Sequence, residues 1–281
     1  MIRSLTELLF FLLLVLSGTV AADKTGAGDQ AKLLDKYLGA LKKNRPDITD
    51  LYFIGIAPYS TEDVFMNEII YVRNLFDRKF ETSGRSLLLI NNRKTSELYP
   101  AATVANMEKA FRKLGTLIDS EEDMVVLFIT SHGDKGKGIR LKSKGIDTIS
   151  LSRKYLDANT IRRFLDNNNI HWRVIILSAC FSGGLVKTLE NEHTLLITSA
   201  SSENPSFGCG HDGNFTQFGE TFFRQNLSSN PDFITAFNSA EMTIRRLEKE
   251  LDISASNPQI HIGEKIRPLL DKLANKASES P

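Results

Sequence analysis

The chain has 281 residues, of which 41% are hydrophobic, and this is enough to bury a substantial core in one α/β domain. Its 35 basic and 34 acidic residues nearly cancel, so no net field would draw nucleic acid or an acidic membrane surface to it. The composition therefore excludes a strongly basic nucleic-acid-binding protein, and no nucleic-acid partner is expected.

The N-terminus has the pattern of an export signal over residues 1–22. Arg3 supplies a positive charge, Leu8–Leu16 is a short apolar core, and Val20-Ala21-Ala22 offers small residues for cleavage. This core is far shorter than the ~20 residues that span a bilayer, so no stable membrane span is expected after cleavage. We expect an exported protein, periplasmic or secreted. The alternative is a membrane tether through an uncleaved signal anchor.

After this segment, apolar runs and helical patterns alternate along the chain. Residues 23–49 are expected to be a leader and a helix, because leucines recur at helical spacing in 31–43. Strands are predicted at 50–57, 86–92, 123–131, 172–179 and 194–200, and helices at 62–80, 101–117 and 158–168. This alternation is typical of a mostly parallel sheet covered on both faces, which is a three-layer α/β/α fold. The domain is expected to cover 50–270, with a frayed tail at 271–281.

Two of the predicted strands end in residues that can carry chemistry. The run VVLFITSHG ends at His132-Gly133, and the run VIILSACFSGG carries Cys180. Parallel strands place their carboxyl ends at one edge of the sheet, where α/β proteins bind ligands. An imidazole and a thiol at that edge are the two parts of a cysteine nucleophile with its general base.

Each of these residues also has a plain structural interpretation. A cysteine after an apolar strand is usually a small buried side chain, and a histidine at a strand end is often only a hydrogen-bonded structural residue. The neighbouring glycines favour catalysis, because Gly133 and the pair Gly183-Gly184 let the backbone approach a ligand closely. The sequence therefore predicts a cysteine hydrolase with Cys180 as nucleophile and His132 as base.

The same segments resemble the legumain-type family of cysteine peptidases, which has the caspase fold, and especially its exported bacterial members. The resemblance rests on Ser131-His132-Gly133, on the run SACFSGG from Ser178, and on LITSASSENPSFGCGHDGNFTQFGETFF from Leu196. It extends from about Leu51 to about Gly263. It implies an endopeptidase that cleaves peptide or protein substrates through a thioester acyl-enzyme.

The resemblance also implies roles for residues around the reactive pair. The backbone N–H groups of Gly133 and Cys180 are expected to stabilise the oxyanion. The segment Ser199, Ala200 and Ser201 is expected to bind an extended peptide by β-augmentation, and the alternative is a plain connecting loop.

Substrate specificity is expected to differ from that of the legumains. They have a glutamate before the Ala-Cys pair, in the pocket that accepts asparagine, whereas this chain has Ser178 there. Asp212 is a candidate for the specificity pocket, with an exposed turn residue as the alternative. Legumains also orient the histidine with an asparagine on the first strand, which FIGIAPYS lacks. Either a backbone carbonyl takes this role or the histidine works in a dyad.

No metal ion or cofactor is expected, because the histidines lack ligand spacings and two cysteines do not form a structural zinc site. The second cysteine, Cys209, leaves one competing account, since two cysteines in an oxidising compartment can form a structural disulfide. Two further functions stay open. One is a transpeptidase or transamidase using the same dyad, and the other is a non-catalytic binding module, whose usual mark is loss of the histidine or cysteine.

Overall fold

A computed structural model describes residues 25–146, 149, 151–210 and 213–278. The nine strands in this part of the chain are β1 (Leu51–Ala57), β2 (Ser86–Ile90), β3 (Met124–Thr130), β4 (Gly133–Asp134), β5 (Gly138–Arg140), β6 (Tyr155–Leu156), β7 (Trp172–Ser178), β8 (Thr194–Thr198) and β9 (Gln259–Ile262). Six of them form a central sheet in the order β2-β1-β3-β7-β8-β9. All pairs in this sheet are parallel except β8 with β9.

Helices cover both faces of the sheet. The described helices are α1 (Thr25–Ala40), α2 (Asp63–Lys79), α3 (Val104–Gly115), α4 (Ala158–Asp166), α5 (Val186–Leu189), α6 (Gln217–Gly219), α7 (Phe233–Glu250) and α8 (Arg267–Ser278). A 3-10 turn, Ser182–Leu185, precedes α5, and a π-helical segment, Glu220–Leu227, follows α6.

Two hydrophobic cores separate these helices into layers. One core packs α2, the π-helical segment, α7 and α8 against one face of the sheet, and the other packs α1, α3, α4 and α5 against the opposite face. Strands β1 and β3 are buried along their whole length, as expected for parallel strands covered on both sides. The three-layer α/β/α fold with a mostly parallel sheet is confirmed.

Capping residues determine where several of the helices begin. Thr103, Asp157 and Asp232 precede α3, α4 and α7, and each side chain accepts a hydrogen bond from the backbone N–H three residues on. Such a cap satisfies one of the N–H groups that a helix leaves unpaired at its start. The predicted helices 101–117 and 158–168 therefore begin at or slightly after their expected positions.

The structure differs from the sequence-based expectation in two regions. The loop after His132 contains a small antiparallel sheet, β4-β5-β6, turned by Gly136 and Gly138 at positive φ. The expected frayed tail is helical as far as Ser278, because Leu270 and Ala277 of α8 are buried in the core. Residues 1–22, the predicted signal, lie outside the described part.

Candidate active site

The carboxyl ends of β3 and β7 lie side by side. The two strands pair in parallel up to Thr130 and Ser178, and the N–H of Ser131 then donates to the Ser178 carbonyl at 3.1 Å. Two residues farther along each chain segment, the backbones pass so close that a Cβ built on Gly133 would lie 2.1 Å from the carbonyl oxygen of Cys180. The structure thus brings the histidine segment and the cysteine segment together at one edge of the sheet.

A buried carboxyl group on α2 links the ends of the two strands. Thr130 Oγ1 donates to Glu68 Oε2 at 2.7 Å, and Thr216 Oγ1 donates to Glu68 Oε1 at 2.9 Å. Ser178 Oγ lies 3.1 Å from Thr216 Oγ1. The side chains of Thr130 and Ser178, at the ends of the two strands, therefore face α2. Side chains alternate along a strand, so His132 and Cys180, two positions farther on, are expected to point toward the same face of the sheet.

His132 packs against two aromatic side chains on that face. Its ring stands edge-to-face against Tyr59 and Phe65, with centroids 4.6 and 5.1 Å away. Burial is the main cause that lowers the pKa of His132 below its usual value, and the Glu62 carboxylate opposes this shift. A lowered pKa keeps the imidazole neutral at neutral pH, which is the state that can accept a proton.

Glu62 is the site residue that the sequence analysis missed. Its Oε2 lies 3.4 Å from His132 Nε2, and it accepts a hydrogen bond from Thr61 Oγ1 at 3.1 Å. The residue precedes α2, in the loop that follows β1. An acidic residue after the first strand was the available signal, but the sequence analysis expected either a backbone carbonyl in this role or a histidine that works in a dyad.

Cys180 sits at a sharp turn between β7 and the 3-10 turn. Phe181 has a φ of 59°, which is a rare conformation for a bulky residue, and its N–H donates to the Asn204 carbonyl at 3.0 Å. The thiol of Cys180 donates to the Ser206 carbonyl, with Sγ–O 3.4 Å. A backbone conformation like that of Phe181 costs about 1–3 kcal/mol and persists only where the surrounding structure holds it.

Cys209 does not pair with Cys180, because both cysteines are free thiols. The disulfide of the competing account is therefore not formed in this structure. Burial raises the pKa of Cys209 to about 12, and the neighbouring Cys180 and Glu68 add to the shift. A thiol with so high a pKa supplies almost no thiolate at neutral pH.

The predicted substrate-binding residues are largely engaged inside the protein. Ser199 is buried, and its Oγ accepts the N–H of Ala179 at 2.9 Å. The carbonyl of Ala200 accepts from Gly183, and the N–H of Ser201 donates to Ser256, both at 2.9 Å. Their segment thus supports the turn that carries Cys180, and its binding of substrate stays a prediction. Ser178 is also buried, and Asp212 lies outside the described residues.

The three-layer α/β/α domain with a mostly parallel sheet is the fold expected of a legumain-type cysteine peptidase. The chain belongs to the peptidase C13 family, whose sequence model matches residues 91–250, a range that contains His132, Gly133 and Cys180. The resemblance to legumain-type peptidases is thereby confirmed, and the protein is a hydrolase that acts on protein substrates. A search of curated proteins finds no match.

Two further findings concern the described residues only. No helix among them is long and apolar enough to cross a membrane. Within the same residues, no group of three or more histidine, cysteine, aspartate or glutamate side chains is placed to hold a metal ion.

Proposed function

We propose that the protein is a cysteine endopeptidase in which Cys180 is the nucleophile and His132 its general base. The observation that carries this proposal is the close passage of the two strand ends, with Gly133 against the carbonyl of Cys180. The lowered pKa of His132 supports it, because a neutral imidazole can take the thiol proton.

The chemistry proceeds in two halves through a thioester. Nε2 of His132 faces Glu62, so Nδ1 is the nitrogen that takes the proton from Cys180 Sγ. The sulfur then forms a bond to the scissile carbonyl carbon, and the backbone N–H groups of Gly133 and Cys180 stabilise the oxyanion. The imidazolium returns its proton to the leaving amine as the C–N bond breaks. Water, deprotonated by His132, hydrolyses the thioester to a carboxylate and restores the thiol.

Transpeptidation would use the same acyl-enzyme, with an amine in place of water. We propose hydrolysis, because water needs no second binding site beside the thioester. Product analysis by mass spectrometry, with an amine added at increasing concentration, separates the two reactions. Hydrolysis predicts that the free acid remains the main product, whereas a transpeptidase would convert most of it to the amide.

The nucleophile is tested by substitution. Cys180→Ala and His132→Ala are expected to abolish cleavage of the best substrate in a peptide library while the melting temperature stays near that of the wild type. Cys209→Ala is the matched control and should retain turnover. Wild-type activity in Cys180→Ala would overturn the mechanism.

The site of action is proposed to lie outside the cytoplasm. The support for this is the export pattern of residues 1–22. Fractionation of cells that express the full chain, with N-terminal sequencing of the product, tests both export and cleavage near Asp23. Full-length protein in the membrane fraction would instead indicate the uncleaved anchor.

A further inference from the structure

We infer that Glu62 is the positioning residue that holds the His132 imidazole for catalysis, so that the site works as a Cys-His-Glu arrangement. This inference rests on the proposed role of His132 as general base. It replaces the two options left by the sequence, a backbone carbonyl or an unaided dyad. The family match does not assign it, since that match begins at residue 91.

The local structure directs the Glu62 carboxylate to the imidazole. Glu62 occupies the position before α2, where Asp, Asn, Ser or Thr often caps a helix, and its side chain makes no capping hydrogen bond. Its Oε2 instead lies 3.4 Å from His132 Nε2, while Thr61 donates to the same oxygen at 3.1 Å. The Glu62 side chain is only 14% exposed, so solvent screens this contact weakly.

The ring itself is held in place by packing. Tyr59 and Phe65 both contact His132 edge-to-face, and the two rings are themselves neighbours, with centroids 6.1 Å apart. Lys142 Nζ lies 3.1 Å from both Tyr59 Oη and Thr61 Oγ1. These two contacts connect the loop that contains Glu62 to the segment that follows β5. The orientation of the imidazole is thus defined by two aromatic rings, and the carboxylate defines which of its nitrogens carries the proton.

This contact has two consequences for proton transfer. A proton on Nε2 that points to the carboxylate leaves the lone pair on Nδ1, which is the tautomer that can accept the thiol proton. Once His132 is protonated, the nearby negative charge of Glu62 stabilises the imidazolium. Hydrogen bonds of this kind commonly shorten when substrate binds, so a separation of 3.4 Å without substrate is sufficient.

The charged groups around the ring shift the pKa of His132 in opposite directions. Glu62 raises the pKa of His132, whereas burial, Arg140 and Lys142 lower it. Tyr59, from the loop after β1, is a further titratable group in contact with the ring. Removal of the carboxylate therefore leaves only influences that lower the pKa, and the base should lose its proton at a lower pH.

The test compares Glu62→Gln with Glu190→Gln. The control removes a carboxylate from another glutamate–histidine pair, in which Glu190 Oε2 lies 3.5 Å from Nδ1 of His261 on the edge strand β9. Glu62→Gln is expected to lower kcat at least tenfold with little change in KM, and to move the acidic limb of the kcat/KM profile to lower pH. Glu190→Gln should change neither. A Glu62→Gln enzyme within twofold of wild type, with an unmoved limb, would overturn the inference.

A second readout needs no substrate. Iodoacetamide alkylation of Cys180, followed across pH by mass spectrometry, should be slower in Glu62→Gln and unchanged in Glu190→Gln. Glu62→Asp keeps the charge and should keep the acidic limb near its wild-type position, and a limb displaced as far as in Glu62→Gln would contradict the electrostatic role. If Cys180→Ala retains activity, the proposed function fails. If only Glu62→Gln behaves as wild type, the role of Glu62 alone fails.

Discussion

Gly133 lies against the backbone of Cys180, because a methyl group at this position would lie 2.1 Å from the Cys180 carbonyl oxygen. The glycine is required here by close approach and not by an unusual φ, since it is absent from the positive-φ glycines of the described chain. The residue after His132 thus limits how closely the histidine segment and the cysteine segment can approach each other.

Gly133→Ala is therefore expected to push the two strand ends apart. A displacement near 1 Å in a catalytic arrangement can reduce the rate about 10²-fold, and we expect a loss of kcat/KM of that order. The fold should persist, because the change lies at the sheet edge. Gly39→Ala in α1 is the control, since no atom lies within 4 Å of the added methyl, and it should leave kcat/KM unchanged. Full activity in Gly133→Ala would contradict the assignment.

The two thiols are expected to differ sharply in reactivity. Burial raises the pKa of Cys209 to about 12, so its thiolate is scarce at pH 7.5, whereas Cys180 has His132 on the same face of the sheet. Iodoacetamide at this pH should label Cys180 first, as read by peptide mapping of non-reduced protein. His132→Ala should slow the labelling. Preferential labelling of Cys209, or a Cys180–Cys209 disulfide in the peptide map, would contradict this prediction.

The sheet and the closeness of the histidine and cysteine segments could be predicted from sequence, because both depend on short, continuous patterns. Each parallel strand is a near-unbroken apolar run, and adjacency of β3 and β7 is enough to bring their carboxyl ends together. The identity of the two side chains at those ends then indicates the chemistry. No knowledge of loop conformation was needed for that step.

The groups that complete the site could not be predicted, because they arrive from distant segments or from backbone geometry. Glu62 reaches His132 from a loop 70 residues earlier, and no periodicity encodes that contact. The positive φ of Phe181 could not be predicted, because a phenylalanine rarely adopts that conformation. Ser199 is expected from the resemblance to bind substrate, yet its hydroxyl is buried against the backbone of Ala179.

Glu68 beneath the site should make the stability of the protein depend on pH. Burial raises the pKa of this carboxyl to about 7, and the hydrogen bonds from Thr130 and Thr216 only partly oppose the shift. Between pH 4.5 and 7 the folded state therefore holds a proton that the unfolded chain has released. The stabilising contribution of Glu68 is fully present at low pH and falls as pH rises through this window, by about 3 kcal/mol in total.

Glu68→Gln isolates this effect, because the amide is nearly isosteric with the protonated carboxyl and can donate to Thr216. Relative to wild type, the free energy of unfolding of Glu68→Gln should rise by about 3 kcal/mol between pH 4.5 and pH 8, measured by urea denaturation at both values. Glu108→Gln is the control, since this glutamate is exposed beside Arg112 and its removal should give a difference that is nearly independent of pH. The same flat difference in Glu68→Gln would show that Glu68 is already ionised in the folded protein at pH 5. In that case the hydroxyl groups of Thr130 and Thr216 would stabilise its charge fully.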